Sequence, residues 1–405
     1  MISKCLLSLS VSLLALTFAS ADEDDFAGDL RLLLPAEIPI LAGIETNVYF
    51  DNALLAINPA NYAVDVICRR GSQQNERWTW VASSDPDKRD VGSHPLTLEL
   101  RNQKNEIVAR ASTVLRVLPR DVDAETSDEK SILILGDSLT NASHYPGQVN
   151  ERAREDGFPL RLIGTRGPGA EAQDGGGDGS GNRHEGYGGW TANRFATHYT
   201  GIARGGDYKK CGSPFIYKSD PDNEDETPKL DFARYCQEYN EGQAPDFVTI
   251  LLGCNDTFHS TDETIEEKID VMFAHYETLV SMIHELNPKT KIGAILPMPP
   301  AASQDAFGQN YGSSQTRWQY KRNQHRVLER MTETFGSRED ENLFLVPAWL
   351  NLDPVHGFPD KEVKANAHSE AVITRQINGV HPSAEGYRQM GDSIYAWLRS
   401  FDAKD

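Results

Sequence analysis

From Ser131 onward the chain alternates short, almost wholly apolar runs with amphipathic stretches, and this limits the available folds more than any other feature. Ile132-Leu133-Ile134-Leu135 stops at Gly136, and Phe247-Val248-Thr249-Ile250-Leu251-Leu252 stops at Gly253. Leu160 to Ile163, Ile292 to Leu296 and Leu343 to Val346 are further runs of this kind. Short runs without polar alternation read as strands buried on both faces, which requires a parallel sheet covered by helices. The helices are legible at Pro146 to Glu155, Arg317 to Phe335 and Glu385 to Phe401. Another opens at Ser260-Thr261-Asp262-Glu263, which has capping-box spacing, and lines up Ile265, Ile269, Met272, Tyr276, Leu279 and Ile283 until Pro288 stops it. The pattern predicts a doubly wound α/β domain with a five-stranded parallel sheet, whose ligands bind beyond the carboxyl ends of the strands.

A length of 405 residues leaves room for one or two further domains. Between Leu30 and Val117 the pattern is instead period-two, as in Arg77-Trp78-Thr79-Trp80-Val81 and Leu96-Thr97-Leu98-Glu99-Leu100. Turn-prone segments such as Asp85-Pro86 separate the runs. This predicts a small all-β sandwich over 29–118, immunoglobulin-like in length and strand number but without a Cys-Trp-Cys signature. A charged linker, 119–130, joins it to the α/β domain at 131–405. At the start, Lys4, the apolar run Cys5 to Phe18 and Ala19-Ser20-Ala21 read as a signal peptide over 1–21. The run is short for a membrane span of about 20 residues, so the expectation is an exported chain, periplasmic or extracellular, with no span after cleavage. The formal net charge of −20 argues against nucleic acid and anionic membranes as partners.

Four cysteines follow the leader: Cys68, Cys211, Cys236 and Cys254. None has Cys-x-x-Cys spacing, so no zinc or thioredoxin-like site is expected. Cys211 and Cys236 are equally readable as one disulfide or as two thiols. Gly164 to Gly189 holds 11 glycines in 26 residues, and Ser219 to Thr227 is densely acidic. Together they read as a long irregular excursion of lid or binding loops between the second and third strands. Asp174, Asp178, Gly179, Ser180, Asn182 and Glu185 partly match a calcium loop. Gly176 takes a ligand position and no helix flanks the segment, so a Gly-rich loop is the expected reading and no metal is assigned.

Four motifs carry chemistry. Gly136-Asp137-Ser138-Leu139-Thr140 places a serine just beyond the first strand, as a nucleophile or as part of a helix cap. Gly186-Tyr187-Gly188-Gly189-Trp190-Thr191 offers backbone N–H groups with no side chain in the way. Gly253-Cys254-Asn255-Asp256 puts an amide donor, or an Asx-turn, beyond the third strand. Asn378-Gly379-Val380-His381-Pro382 sets a histidine before the last helix, as a general base or a plain loop residue. Ser, Gly, Asn and His in this order, within GDSLT, YGGWT, GCND and GVHP, resemble the SGNH (GDSL-type) hydrolase family over roughly Ser131 to Phe401.

The resemblance implies a flavodoxin-like α/β/α sandwich and cofactor-free ester hydrolysis through an acyl-enzyme. Ser138 takes the place of the nucleophile and His381 that of the base. The oxyanion donors are the Ser138 N–H, the Gly189 N–H and the Asn255 side chain. The family usually has Asp three residues before the His, where this chain has Asn378. Asn378 then orients His381, or Glu385 or Asp353 stands in, or the domain chiefly binds. The expected substrate is a small-molecule or polysaccharide O-acyl ester, with O-acetyl carbohydrate foremost. The alternatives are a lipid or aryl esterase and a catalytically weak glycan-binding protein. Tyr187 and Trp190 are read as a sugar-stacking platform or as packing. Asp305, Phe307, Tyr311 and Trp318 are read as further substrate contacts.

Overall fold

The computed structural model describes residues 30–120, 128–168, 179–200, 210–220 and 222–402; the leader reading at 1–21 lies outside them. The N-terminal strands are β1 (Glu37–Leu41), β2 (Glu45–Tyr49), β3 (Ala63–Ile67), β4 (Ser72–Gln73), β5 (Arg77–Val81), β6 (Gly92–Arg101) and β7 (Ile107–Leu118). They form two sheets, ordered β1-β7-β6-β3 and β2-β5-β4. Period-two patterning decides which side chains face in: Trp78 and Trp80 on β5 are buried while Val81 is exposed. The β1-β7 pair is parallel and the other ladders are antiparallel.

The α/β unit is built on β8 (Lys130–Gly136), β9 (Leu160–Ile163), β10 (Glu185–Gly186), β11 (Phe247–Leu251), β12 (Lys291–Ile295) and β13 (Leu343–Val346). The sheet runs β9-β8-β11-β12-β13, all parallel, with the short β10 also pairing β8. In sequence terms this is the 2-1-3-4-5 order of flavodoxin-like sheets, and its switch point lies between β8 and β11. From Ser131 to Gly136 every residue of β8 is buried, as an apolar run covered on both faces demands. The principal helices are α1 (Ser138–Asn141), α2 (His144–Asp156), α3 (Ala192–Thr197), α4 (Phe232–Tyr239), α5 (Ile265–Leu286), α6 (Gln304–Tyr311), α7 (Arg317–Phe335) and α8 (Ala384–Arg399). α8 packs on α2, and α5 packs on α3 and α7. The N-terminal sheets and the α/β unit share one continuous hydrophobic core.

Three expectations are corrected. The helix expected to open at Ser260 begins at Ile265, because residues 261–264 close a turn in which the Thr261 N–H donates to Thr264 Oγ1. The excursion before β11 is not a bare loop. Its described residues bury Tyr187, Trp190, Phe195, Phe215, Phe232 and Tyr235 in an aromatic cluster, with Cys211 and Cys236 buried there as thiols rather than as a disulfide. A hairpin, β14 (Asp360–Lys364) with β15 (Val372–Gln376), precedes the His381 loop and was not expected. Both strands are largely exposed and β14 is mostly charged, so they carry little burial pattern to read.

Candidate active site

The switch point brings the motifs together. β8 and β11 pair from Ile132↔Phe247 to Gly136↔Leu251, so the chain leaves both strands at the same edge. On β8 it passes into Asp137 and Ser138, and on β11 into a single helical turn, Cys254–Thr257. On the other side of β8, Gly186 pairs Gly136, and the Tyr187 N–H donates to the Gly136 carbonyl (3.0 Å). The glycine block is thereby laid beside the serine. The fourth motif arrives through the segment after β12, where the Ala301 N–H donates to the Gly379 carbonyl (3.1 Å). Gly379 leaves no room for a side chain unless the Phe307 ring shifts, because a Cβ there would lie 2.6 Å from that ring.

Asp137 caps the four-residue α1, its Oδ1 accepting from the Leu139 N–H (2.9 Å). With the cap supplied by Asp137, the Ser138 hydroxyl turns to His381: Oγ and Nε2 are 2.8 Å apart. Asn378 Oδ1 accepts from the backbone N–H of Val380 (3.1 Å) and His381 (2.9 Å) and lies 3.4 Å from His381 Nδ1. Two backbone donors fix which way the Asn378 amide points, so an oxygen faces Nδ1. That orientation favours the Nδ1–H tautomer, in which Nε2 accepts the hydrogen bond of the Ser138 hydroxyl. Burial holds the His381 pKa below its usual value, with no carboxylate to raise it. The readings in which Asp353 or Glu385 stands in are corrected here. Asp353 accepts from the Tyr49 hydroxyl and the Val355 and His356 N–H groups, and Glu385 is an exposed residue in the first turn of α8 that bonds Ser383.

Asn255 Nδ2 donates to Asp137 Oδ2 (3.1 Å) and to the Trp190 carbonyl (3.0 Å). Asp256 receives the Ala192 N–H (3.1 Å), tying the turn after the glycine block to the Asn motif. Burial pushes Asp137 up to about 7, opposed by the Leu139 N–H and reinforced by Asp256. Burial also pushes Asp256 up to about 6. Gly189 has φ +75° and open space where a Cβ would sit, so it keeps this turn relaxed and its outer side clear.

The aromatic expectations fare differently. Tyr187, Trp190 and Phe307 are fully buried and present no face to a ligand, which corrects their reading as substrate contacts. Tyr187 and Trp190 pack on each other with ring centres 4.5 Å apart, and Phe307 underlies Gly379. Tyr311 is partly exposed against Phe258 (5.0 Å). Trp318 lies partly exposed beneath the Arg322 guanidinium, and Asp305 is paired with Arg375 (2.7 Å).

Reading the sequence missed a buried layer behind the glycine block. Glu185 is fully buried and takes four donors: Thr165 N–H and Oγ1, and the hydroxyls of Tyr187 and Tyr235. His184 accepts the Gly186 N–H on Nδ1 and meets Ser143 Oγ through Nε2 (2.7 Å). Burial, with Arg166 and Arg183 nearby, lowers its pKa to about 3, so it stays neutral. The only signal was adjacency: both residues immediately precede Gly186-Tyr187. Glu185 is thereby committed as an internal acceptor, which leaves the calcium-loop spacing without its last ligand. Asp174, Gly176 and Asp178 lie outside the described residues. Among the described residues no group of three His, Cys, Asp or Glu is placed to hold a metal. No helix among them is long and apolar enough to cross a membrane.

A serine on a histidine, at the switch point of a 2-1-3-4-5 sheet, defines a class of α/β hydrolytic domain. The family model for GDSL-like Lipase/Acylhydrolase matches residues 132–394, and the chain belongs to that family. Similar solved structures include an acetyl esterase mutant with acetate ion (14% identity, TM-score 0.37, covering 67% of this chain and 97% of that one). Another is a carbohydrate acetylesterase family member from Sinorhizobium meliloti (14%, TM-score 0.33, 67% and 98%). A third is an acetyl xylan esterase (14%, TM-score 0.33, 66% and 99%). No curated protein sequence matches.

Proposed function

We propose that the chain hydrolyses O-acyl esters, foremost O-acetyl groups on carbohydrate, through an acyl-enzyme on Ser138. The observation that carries this reading is the 2.8 Å contact between Ser138 Oγ and His381 Nε2, with Nδ1 turned to the fixed oxygen of Asn378. His381 takes the serine proton as Oγ attacks the ester carbonyl, then returns it to the leaving alcohol. The same base activates water to release the acyl group. Asn378 holds the tautomer and supplies no charge. The Ser138 and Gly189 N–H groups and the Asn255 amide are the proposed oxyanion donors. Asn255 reaches the oxyanion by exchanging one of its two present acceptors, Asp137 Oδ2 or the Trp190 carbonyl.

Support for a hydroxylated alcohol comes from the surface beside the His381 loop. A groove of about 540 Å³ lies between α6 and the β14-β15 hairpin, lined by Gln304, Asp305, Gln309, Lys361, Arg375 and Gln376 among others. Such a lining suits hydroxyl groups better than an acyl chain. The leader-like N-terminus supports action outside the cytoplasm. Asn378 favours one second reading, a weakly catalytic glycan binder. Hydrolysis of p-nitrophenyl acetate that disappears in Ser138→Ala supports the enzyme, and an unchanged rate in that variant rejects it. Acetate release from acetylated xylan, set against turnover of long-chain p-nitrophenyl esters, separates sugar from lipid substrates.

A further inference from the structure

The N-terminal β module grips the α/β unit at the segments that carry His381. After β2 the chain makes a single helical turn, Phe50–Ala53. Its Asp51 bonds Arg317 Nη2 through Oδ2 (2.6 Å) and Lys321 Nζ through Oδ1 (2.8 Å), both on α7. Lys321 is buried, so this is an anchored contact rather than a surface pair. The other arm of Arg317 reaches inward, its Nε donating to the Ala301 carbonyl (2.9 Å). Ala301 N–H in turn donates to the Gly379 carbonyl, two residues before His381. A second path starts one residue along the same turn. Asn52 Nδ2 donates to the carbonyls of Trp349 (2.8 Å) and Leu352 (2.7 Å), and the Tyr49 hydroxyl donates to Asp353 Oδ2 (3.1 Å). Asp353 Oδ1 orders residues 355 and 356. Beyond it, the Gly357 carbonyl accepts the Ser383 N–H (2.9 Å), two residues after His381.

The loop is therefore held on both sides of the histidine by backbone bonds whose far ends rest on Tyr49, Asp51 and Asn52. We propose that the N-terminal module positions the His381 loop, with Asp51 and Arg317 as positioning residues. This rests on the reading of His381 as the base. A neutral Asn378 gives the imidazole only a 3.4 Å contact, so the loop backbone must fix what a charged partner would otherwise hold.

The test uses the full chain with Arg317→Lys and Asp51→Asn. Arg317→Lys keeps the Asp51–Lys321 pair and so keeps the modules joined, while removing the Nε donor. The outer-face substitution Ile67→Thr is the control. Hydrogen exchange is followed on peptides covering 299–303 and 376–383, with 131–136 on β8 as the reference. The expected result in both variants is about tenfold faster exchange across 376–383, with the reference and the control unchanged. The kcat for p-nitrophenyl acetate falls about tenfold while KM stays within about twofold. Unchanged loop exchange, equal acceleration of the reference, or faster loop exchange with unaltered kcat would each overturn the proposal. If the unsubstituted protein shows no Ser138-dependent hydrolysis, the esterase reading fails, and the exchange comparison still decides whether the module holds the loop.

Discussion

Replacing Asn378 with Asp tests what the neutral partner of His381 does. The new carboxylate takes a site where two backbone N–H groups already point, those of Val380 and His381. Those donors suit a charge at least as well as an amide oxygen, so the side chain is expected to keep its place. At the observed 3.4 Å from Nδ1, a full charge interacts with the imidazolium by about 5 kcal/mol at an effective dielectric near 20. His381 and Asn378 are both partly exposed, and screening reduces this to roughly 1.5–3 kcal/mol. The imidazolium forms as Ser138 attacks, so kcat should rise about tenfold to a hundredfold. The pH profile moves as well. Burial now depresses the His381 pKa, so the base stays neutral, and the acid limb of kcat lies, below the ordinary value of about 6.5. In Asn378→Asp the carboxylate favours the charged imidazole and the limb moves up in pH. The assay is p-nitrophenyl acetate hydrolysis from pH 4 to 9 for both proteins. A loss of more than about tenfold in a folded variant, or an acid limb that does not move, would show that Asn378 does more than orient His381.

Two other substitutions probe the shell around the site. Gly379→Ala drives a methyl into the Phe307 ring, so kcat should fall by about a hundredfold from displacement of the His381 loop, with partial recovery in Gly379→Ala/Phe307→Leu; failure of the second change to restore any rate would separate the ring from the effect. Glu185→Ala leaves four buried donors without an acceptor and should lower stability by about 3–5 kcal/mol in urea unfolding, whereas Glu185→Gln, whose amide can serve the two tyrosines and Thr165, should cost about 1 kcal/mol. Equal losses in the two would show that packing volume, not hydrogen bonding, is what Glu185 supplies.

The sheet was legible because burial on both faces forces runs such as Ile132 to Leu135, which allow little but a covered parallel strand. α7 was legible from end to end, Arg317 to Phe335, because one side of it is core. The β14-β15 hairpin was not, since strands exposed along most of their length carry no burial period. Ser138, Asn255 and His381 each had a plainer reading alone, as a cap, an Asx-turn and a loop residue, and stood out through their order with the glycine block and the family resemblance that this order carries. For Tyr187 and Trp190 the sequence left stacking on a sugar and packing equally open. An aromatic beside a glycine turn looks the same in sequence whether its ring faces solvent or a buried carboxylate, and only the tertiary position of Glu185 decides. A helix cap was legible in Gly136-Asp137-Ser138, but the bond from Asn255 to Asp137 joins residues 118 apart, which no local pattern reports. The ties from Asp51 and Asn52 to the α/β unit span still longer separations and became visible only in three dimensions.

Acylation of Ser138 is read directly by mass spectrometry of protein quenched during turnover of p-nitrophenyl acetate. One acetyl group is expected on the peptide containing Ser138 during turnover, and none in Ser138→Ala. Continued turnover with no adduct on that peptide, or an adduct that persists in Ser138→Ala, would contradict it.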